Sequence, residues 1–292
     1  MRAPSAGRQP IHGTVNVKTT VIVFPFDLFG SAGAGAGADL LGDELREILA
    51  DNKRERVATR ARAYTGEVEL RRFAFVELPA YQDWRVKGRR AARRVLGKGG
   101  FLIWLAGNHL GVLPVYDELA QESAGTLVVQ FDAHLDIHHF ADCRPELSHG
   151  NFLRHSVGPL PKLVNVGHRE LLLRDEDIRE FYSAAFPTDL LAIDPEPALQ
   201  QVRAASAEAE RVFLDIDCDV FDAAFFPAVG QPVPFGLSPS LMLRFLDAAW
   251  SPRVAGVAVS EFDPGRDRHD QSLATLMWLL EYILLRRYEL SV

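Results

Sequence analysis

Short runs of apolar residues recur along the chain, and most are continuous rather than alternating with polar residues. A continuous run of β-branched and aromatic residues is typical of a strand that is buried on both faces of a parallel sheet. The pattern therefore predicts strands that are enclosed between layers of other elements. Eight runs have this character: Thr20–Phe26, Leu70–Val76, Phe101–Leu105, Leu127–Phe131, Leu163–Val166, Leu190–Ile193, Val212–Ile216 and Val254–Val259.

Helical patterns separate many of these runs, and the alternation of strand and helix implies right-handed crossovers. We therefore expect a single three-layer α/β domain over residues 18–292, with a mostly parallel sheet of about eight strands flanked by helices. Residues 1–17, rich in Pro, Gly and Arg, are expected to form a flexible N-terminal leader. The predicted helices are Asp39–Asn52, Val112–Gln121, Glu176–Ser183, Ala198–Glu210, Pro239–Trp250 and Leu273–Leu285.

Composition and charge exclude several classes of protein. The longest apolar stretch, Leu273–Leu285, is shorter than the roughly 20 residues of a bilayer span, so we expect no membrane association. A net charge of -7 argues against nucleic acid as a partner. The basic run Arg85–Lys98 is interpreted as a solvated helix face or a subunit contact. Two cysteines without a Cys-x-x-Cys pattern are typical of a reducing cytoplasm.

Acidic and histidine side chains follow three of the predicted strands at the point where each strand ends. The carboxyl ends of parallel strands meet at one edge of a sheet, where ligands bind. We therefore expect these side chains to lie together, whereas the glycine-rich stretch Gly30–Gly37 is interpreted as a flexible loop at the rim. The six candidate ligands are His109, Asp132, His134, Asp136, Asp217 and Asp219.

Alternation along an extended segment points Asp132, His134 and Asp136 in the same direction. Bringing four carboxylates together without cations would cost several kcal/mol through repulsion and desolvation, whereas two divalent ions neutralise them. Oxygen and imidazole ligands without a thiolate suit Mn2+ better than structural Zn2+, and Fe2+, Co2+ or Ni2+ also fit. A single Asp-x-Asp pair is more often a loop cap, so the prediction of two Mn2+ depends on the complete set.

These motifs, taken in order, resemble the ureohydrolase superfamily of arginase, agmatinase and formimidoylglutamase. The resemblance runs from about Phe24 to Pro264. It is carried by four segments, continues through Pro227–Pro232 into Gly236-Leu237, and ends in Ser260-Glu261-Phe262-Asp263-Pro264. The four segments are Gly107-Asn108-His109, Asp132-Ala133-His134-Leu135-Asp136, His149-Gly150 and Asp217-Cys218-Asp219-Val220-Phe221-Asp222.

By this resemblance, all six candidate ligands hold metal, and Asp132 and Asp217 bridge the two ions. A hydroxide shared by the ions would attack the trigonal carbon of the substrate. Asp136 would orient that hydroxide, His149 would relay protons, and Glu261 would pair with the cationic group of the substrate. The alternative for His149 is a structural role as a cap of the segment that follows it.

The resemblance implies a homo-oligomeric hydrolase that cleaves a linear C–N bond of a small guanidino or formimino compound. Agmatine, a guanidino acid or formiminoglutamate would be the type of substrate. Two alternatives stay open: a deacetylase-like amide hydrolase with one zinc ion, and a non-catalytic paralogue that binds metal.

Two departures from the family pattern affect these expectations. Asn108 stands where the family usually has an acid, which predicts weaker tuning of His109. The loop Ile137–Arg144 lacks the small polar residues with which arginases grip an amino acid, so arginine is a poor candidate substrate. Arg144 or Arg154 is expected to receive a substrate carboxylate, while His138 and His139 line the mouth of the site.

Overall fold

The computed structural model describes residues 18–141 and 143–289, so the predicted leader lies outside the described residues. Eight parallel strands form one sheet in the order β2-β1-β3-β8-β7-β4-β5-β6. This arrangement confirms the predicted fold class. The strands are β1 (Thr19–Phe24), β2 (Val68–Arg72), β3 (Phe101–Ala106), β4 (Thr126–Phe131), β5 (Lys162–Val166), β6 (Ala184–Phe186), β7 (Arg211–Asp217) and β8 (Val254–Ser260).

Helices cover both faces of the sheet, and alternate strand residues supply the two cores. In β3, Ile103 and Leu105 pack on one side, while Leu102 and Trp104 pack on the other. Because both sets are buried, the sequence of the strand reads as an uninterrupted apolar run. The helices are α1 (Ala34–Arg54), α2 (Leu78–Gln82), α3 (Trp84–Leu96), α4 (Leu113–Leu119), α5 (Asp175–Phe181), α6 (Thr188–Ile193), α7 (Glu196–Glu208), α8 (Pro239–Ala249) and α9 (Gln271–Glu289).

Different helices cover the two faces of the sheet. Helices α1, α7, α8 and α9 contribute to the core on one face, and α3 and α4 contribute to the core on the other. In the part of the chain that the structure describes, no helix is long and apolar enough to cross a bilayer.

The predicted strand Leu190–Ile193 is wrong, because this segment is the short helix α6. Leu191 is buried, whereas Leu190 and Ile193 are exposed, so only one side of the segment contacts the core. A run of four apolar residues is compatible with either structure when judged by periodicity alone. The edge strand of the sheet is instead β6, which has only three residues.

The glycine-rich stretch is only partly a loop, because α1 begins at Ala34 and includes Gly35 and Gly37. A Cβ atom on Gly37 would overlap the carbonyl oxygen of Phe262, which follows β8. Glycine at this position lets the first turn of α1 approach the backbone beyond β8 closely. The helix therefore braces the edge of the sheet at which the candidate ligands lie.

The basic run Arg85–Lys98 forms α3, and part of its charge is used within the chain. The guanidinium of Arg85 donates to both carboxylate oxygens of the buried Asp117, at 2.5 and 2.8 Å. Arg89 and Arg93 pair with Glu118 of the same neighbouring helix. These contacts join α3 to α4, a role that the sequence pattern alone did not indicate.

We expect Gly37→Ala to lower the free energy of unfolding by about 1 kcal/mol or more, because the added methyl group overpacks against backbone. Helix propensity alone would have the opposite effect and raise the free energy of unfolding by about 1 kcal/mol. Denaturant unfolding measures the difference. The neighbouring exposed Ala36→Gly serves as the control and should lose about 1 kcal/mol through propensity. A Gly37→Ala protein as stable as the parent would contradict the close packing of α1.

Candidate metal centre

The predicted ligands lie at or just beyond the carboxyl ends of β3, β4 and β7, and Glu261 follows β8; these four strands are neighbours in the sheet. His109 begins a 3₁₀ helix just beyond β3, and Asp132 directly follows β4. Asp217 is the last residue of β7 and pairs in register with Ser260, the last residue of β8. Glu261 comes next. The strand ends therefore bring residues that are far apart in sequence to one place.

One group of ligand atoms surrounds the imidazole of His109. Its Nδ1 atom lies 2.8 Å from Asp136 Oδ2, 3.1 Å from Asp217 Oδ2 and 3.2 Å from Asp132 Oδ2. All four side chains are buried. Ligand atoms of His109, Asp132 and Asp217 lie within 4.8 Å of one another, which is the spacing that a shared ion requires.

A second group surrounds His134, whose Nδ1 atom lies 2.8 Å from Asp219 Oδ2 and 3.9 Å from Asp132 Oδ1. Asp132 thus belongs to both groups, with one oxygen facing each histidine. This geometry brings all six predicted ligands together. It also places Asp132 where a carboxylate shared by two cations would have to lie.

The backbone of the two Asp-containing motifs fixes the direction of the carboxylates. The amide of His134 donates to Asp132 Oδ1 at 2.6 Å, and the amide of Asp219 donates to Asp217 Oδ1 at 3.0 Å. The amide of Ala133 donates to Asp219 Oδ1 at 3.1 Å, joining the two motifs. In each of these three carboxylates, a backbone amide holds one oxygen and so fixes the direction of the other, Oδ2, which faces the cluster.

Burial and mutual repulsion perturb these acids strongly. Burial, reinforced by the charge of Asp136, raises the pKa of Asp132 to about 8. Burial and the neighbouring Asp219 also raise the pKa of Asp217 well above its usual range. Burial opposes the charge on His134, but Asp219 outweighs it and raises the pKa of His134 to about 10. The protein without metal therefore resists having all these acids ionised.

Several buried atoms of the cluster have no hydrogen-bond partner although they lie close together. They are His109 Nδ1, Asp132 Oδ2 and Asp136 Oδ2. Buried polar atoms are nearly always satisfied, so an unsatisfied set that converges is a sign of a ligand. Carboxylate oxygens with imidazole nitrogens are donors that divalent transition metals bind. The residues present therefore fit a divalent metal centre.

His149 and Glu261 form a second contact beside the cluster. Glu261 Oε1 lies 3.2 Å from His149 Nδ1 and accepts a hydrogen bond from the amide of His109 at 2.9 Å. Burial lowers the pKa of His149, but the hydrogen bond to Glu261 outweighs it, so the net pKa lies above 6.5. Both side chains line a small cavity of about 50 Å³ that Asp136 also lines.

Two residues of the site have a left-handed backbone, Asp136 with φ 52° and Glu261 with φ 62°. Residues with a side chain seldom adopt this conformation, which costs on the order of 1 kcal/mol or more each. The surrounding contacts impose it and turn both carboxylates toward the cavity. Strain of this kind is concentrated at functional sites.

Sequence reasoning missed Asp215, a fully buried acid inside β7. Its Oδ2 atom lies 3.0 Å from His109 Nε2 and accepts a hydrogen bond from the Tyr116 hydroxyl at 2.6 Å. The signal was present in the alternation, because Asp215 shares a strand face with Asp217. The sequence predicts weak support for His109 from Asn108, and Asn108 indeed donates to the carbonyl of Leu28 instead. Asp215 supplies a contact to His109 that offsets this weakness.

Arg169 is a second residue that sequence reasoning missed. Among the residues that the structure describes, its guanidinium donates to four backbone carbonyls, those of Gly167, Asp219, Val220 and Val233. These contacts tie the segment carrying Asp219 to the loop that follows Pro227. The sequence pattern did not predict these contacts, because every residue has a backbone carbonyl whatever its side chain.

The two arginines proposed to receive a carboxylate have different positions. Arg144 lines a wide mouth above the cavity, together with His138 and Gln231. Arg154 does not reach the site, because its guanidinium donates to the carbonyl of Ile137 and lies over the ring of Phe181 at 5.2 Å. Its predicted role is therefore wrong, whereas His138 lines the mouth as predicted.

Cys218 lies between two ligands in sequence but packs away from them. It is fully buried in the same core as Ile216 and Val220. This position agrees with the alternation that directs Asp217 and Asp219 the other way.

Comparison with known proteins gives one family and a consistent set of relatives. Residues 17–285 match the family model whose description is "Arginase family". A formimidoylglutamase of Nocardia farcinica is 30% identical over 273 residues, covering 88% of this chain and 81% of that protein. An agmatinase of Photorhabdus laumondii is 27% identical over 210 residues, covering 70% of this chain and 66% of that protein, just under two thirds of its length.

Solved structures with similar folds include an arginase from Bacillus subtilis, with a TM-score of 0.73 and 19% identity, covering 91% of this chain and 98% of that one. The agmatine ureohydrolase of Thermoplasma volcanium has a TM-score of 0.73 and 20% identity, covering 95% and 92%. At this level of identity, these structures establish a shared fold.

We expect the metal-free protein to lose stability between about pH 7 and about pH 9, by on the order of 1–3 kcal/mol. The folded state keeps its proton on Asp132 up to a pKa of about 8 and on His134 up to a pKa of about 10. The unfolded chain releases both protons at lower pH, so rising pH favours unfolding across this window.

Denaturant unfolding in the presence of a chelator at both pH values measures this change. The double variant Asp132→Asn/His134→Asn is the matched control and should show a shallower decline. Equal slopes for the variant and the parent would mean that these two groups do not carry the pH dependence.

Proposed function

Because the chain belongs to the arginase family, we propose that it hydrolyses a linear C–N bond of a guanidino or formimino compound. The observation that carries this proposal is the convergence of His109 Nδ1 on three carboxylates within 3.2 Å, with a second histidine and acid alongside. Its agmatinase and formimidoylglutamase relatives support this class of hydrolase.

We propose two Mn2+ ions as the cofactor, held by His109, Asp132, His134, Asp136, Asp217 and Asp219, with other divalent transition metals as substitutes. Four aspartates carry four negative charges, which two divalent ions balance. When bound, the ions would lower the pKa of a water molecule toward 7 and so supply a nucleophile at neutral pH. Asp132 faces both histidines, which supports a shared ligand rather than a single-ion site.

Three residues are proposed to act on substrate and water. Asp136 lines the cavity and orients the attacking water by accepting a hydrogen bond. Glu261 faces the same cavity and pairs with the positively charged amidine of the substrate. His149, in contact with Glu261 and partly exposed, carries a proton between the leaving amine and solvent.

The substrate is proposed to have a flexible tail that lies in the mouth of the site. Arg144 is exposed there, which suits a tail ending in a carboxylate, as in a guanidino acid or formiminoglutamate. Water attack on a guanidino carbon releases urea and an amine, whereas attack on a formimino carbon releases formamide and an amine. Arginine is disfavoured, because bulky His138 stands in the loop with which arginases grip an amino acid.

The same family membership leads us to propose a cytoplasmic homo-oligomer. Two other functions would use the same residues differently. A deacetylase-like amide hydrolase needs one zinc ion, and a non-catalytic paralogue would bind metal without turnover. The two histidine-centred groups of ligands favour the binuclear hydrolase over the deacetylase with one zinc ion. Turnover of a substrate distinguishes the hydrolase from the non-catalytic paralogue.

We expect Asp132→Ala to lose both ions and nearly all activity, because this residue contributes to both groups of ligands. We expect His149→Ala to keep about two ions per chain and to lose roughly 100-fold or more in rate, as for removal of a proton-transfer group. Metal analysis by atomic absorption and steady-state kinetics measure the two effects separately. Retention of both ions in Asp132→Ala would refute the shared-ligand assignment.

A substrate screen with added Mn2+ should give urea from a guanidino compound or formamide from a formimino compound. Agmatine, 4-guanidinobutanoate and N-formimino-glutamate represent the proposed classes, and arginine should be the poorest substrate. Colorimetric urea detection and chromatographic formamide detection identify the product. Acetate release from an acetylated amine together with one Zn2+ per chain would instead support the deacetylase, and bound metal without any product would support the non-catalytic paralogue.

A further inference from the structure

We propose that Asp215, restrained by Tyr116, is a positioning residue that sets the orientation and tautomer of His109. The proposal rests on the metal centre put forward above and adds to it a part that the six ligands do not provide. Its basis is the geometry of a buried side-chain chain running from Tyr116 through Asp215 to His109. The three residues come from α4, β7 and the 3₁₀ helix that follows β3.

The two nitrogen atoms of the His109 imidazole have different partners. Nε2 lies 3.0 Å from Asp215 Oδ2, while Nδ1, on the other side of the ring, faces Asp132, Asp136 and Asp217. The carboxylate accepts a hydrogen bond from Nε2–H, and the proton on Nε2 leaves the lone pair of Nδ1 free to bind a cation. The contact therefore selects the tautomer that the ligand cluster needs.

Asp215 is itself held in a fixed position. The Tyr116 hydroxyl donates to the same Oδ2 atom at 2.6 Å, and the ring of Phe152 lies edge-on to both His109 and Tyr116. Asp215, His109 and Tyr116 are all buried to within 1% of complete enclosure. Neither the imidazole nor the carboxylate can turn without displacing packed neighbours.

A structural role alone does not explain an acid at this position. A carboxylate buried among apolar groups costs several kcal/mol unless a charged group or hydrogen bonds compensate. Across residues 18–141 and 143–289, the side chains hydrogen-bonded to Asp215 are those of His109 and Tyr116, and its Oδ1 atom has no partner. The charge of Asp215 is compensated when His109 bears a cation, either a proton or a metal ion.

Asn108 does not serve this purpose, although it precedes His109 in the chain. Its Nδ2 atom donates to the carbonyl of Leu28 at 3.0 Å, and its Oδ1 atom is buried without a partner. The support for His109 therefore comes from across the sheet, on β7, rather than from the adjacent residue.

Titration calorimetry of the chelated protein with Mn2+ alone tests the proposal. We expect Asp215→Asn to weaken the ion bound through His109 by about 10–100-fold, as for other partners of metal-binding histidines. The ion bound through His134 should keep its affinity. Tyr116→Phe keeps the ring packing and loses one hydrogen bond, so it should give a smaller loss of the same kind. Asp215→Glu, which restores a carboxylate, should recover part of the affinity.

Asp117→Asn is the matched control, because Asp117 is also a buried acid but pairs with Arg85 away from the site. It should reduce the melting temperature without changing either Mn2+ affinity. Unchanged Mn2+ affinity in Asp215→Asn would overturn the proposal. An equal loss of affinity at both ions, or a loss of affinity no larger than that in Asp117→Asn, would also overturn it. A parent protein that binds no Mn2+ would instead defeat the proposed function itself.

A spectroscopic measurement reports the tautomer directly. In the protein loaded with diamagnetic Zn2+, long-range 1H–15N correlation should show His109 protonated at Nε2, with the proton shifted downfield by its hydrogen bond to Asp215. In Asp215→Asn, this downfield resonance should disappear. A His109 signal that is identical in the two proteins would contradict the positioning role.

Discussion

Mutual repulsion among buried carboxylates is the constraint on which the rest of this structure depends. Asp132, Asp136, Asp217 and Asp219 lie against two imidazoles in a space almost without solvent. The raised pKa values of Asp132 and Asp217 express the cost of charging them there. Such an arrangement becomes favourable only with positive charge at its centre, so the fold must hold the acids in place until that charge arrives.

The sheet meets this requirement through its own rigidity. Four adjacent strands end at the cluster, and close contact between the first turn of α1 and the Phe262 backbone braces the edge beyond β8. Backbone amides then hold one oxygen of Asp132, Asp217 and Asp219. The cost of the left-handed backbone at Asp136 and Glu261 is met by the packing around them.

Much of this site could be predicted from sequence, because two simple rules govern it. Parallel strands end at one edge, and alternation directs residues two apart to the same side. These rules predicted that the six candidate ligands would lie together, and the structure brings them together. Alternation places Asp215 on the same strand face as Asp217, but it could not reveal the contacts of Asp215, because Tyr116 and His109 become its neighbours only after the strands have assembled. Arg154 was misplaced for a related reason, since nothing in its local sequence indicates the ring of Phe181 on which it packs.

The one substantial error in the fold, at Leu190–Ile193, has the same origin. A four-residue apolar run carries too little periodicity to distinguish a helix from a strand, and tertiary contact decides between them. Long elements such as β3 and α9 contain enough residues to be recognised from pattern alone. Short edge elements are therefore the least predictable part of this chain.

The contacts of Arg169 have a consequence for motion at the entrance. Its guanidinium donates to the carbonyls of Asp219 and Val233, and Val233 lies two residues beyond Gln231 at the mouth. A rearrangement of that loop to admit a bulky tail would have to break these hydrogen bonds or drag the Asp219 segment with it. On this side of the entrance, movement of the loop is therefore mechanically linked to the position of the acids beneath it.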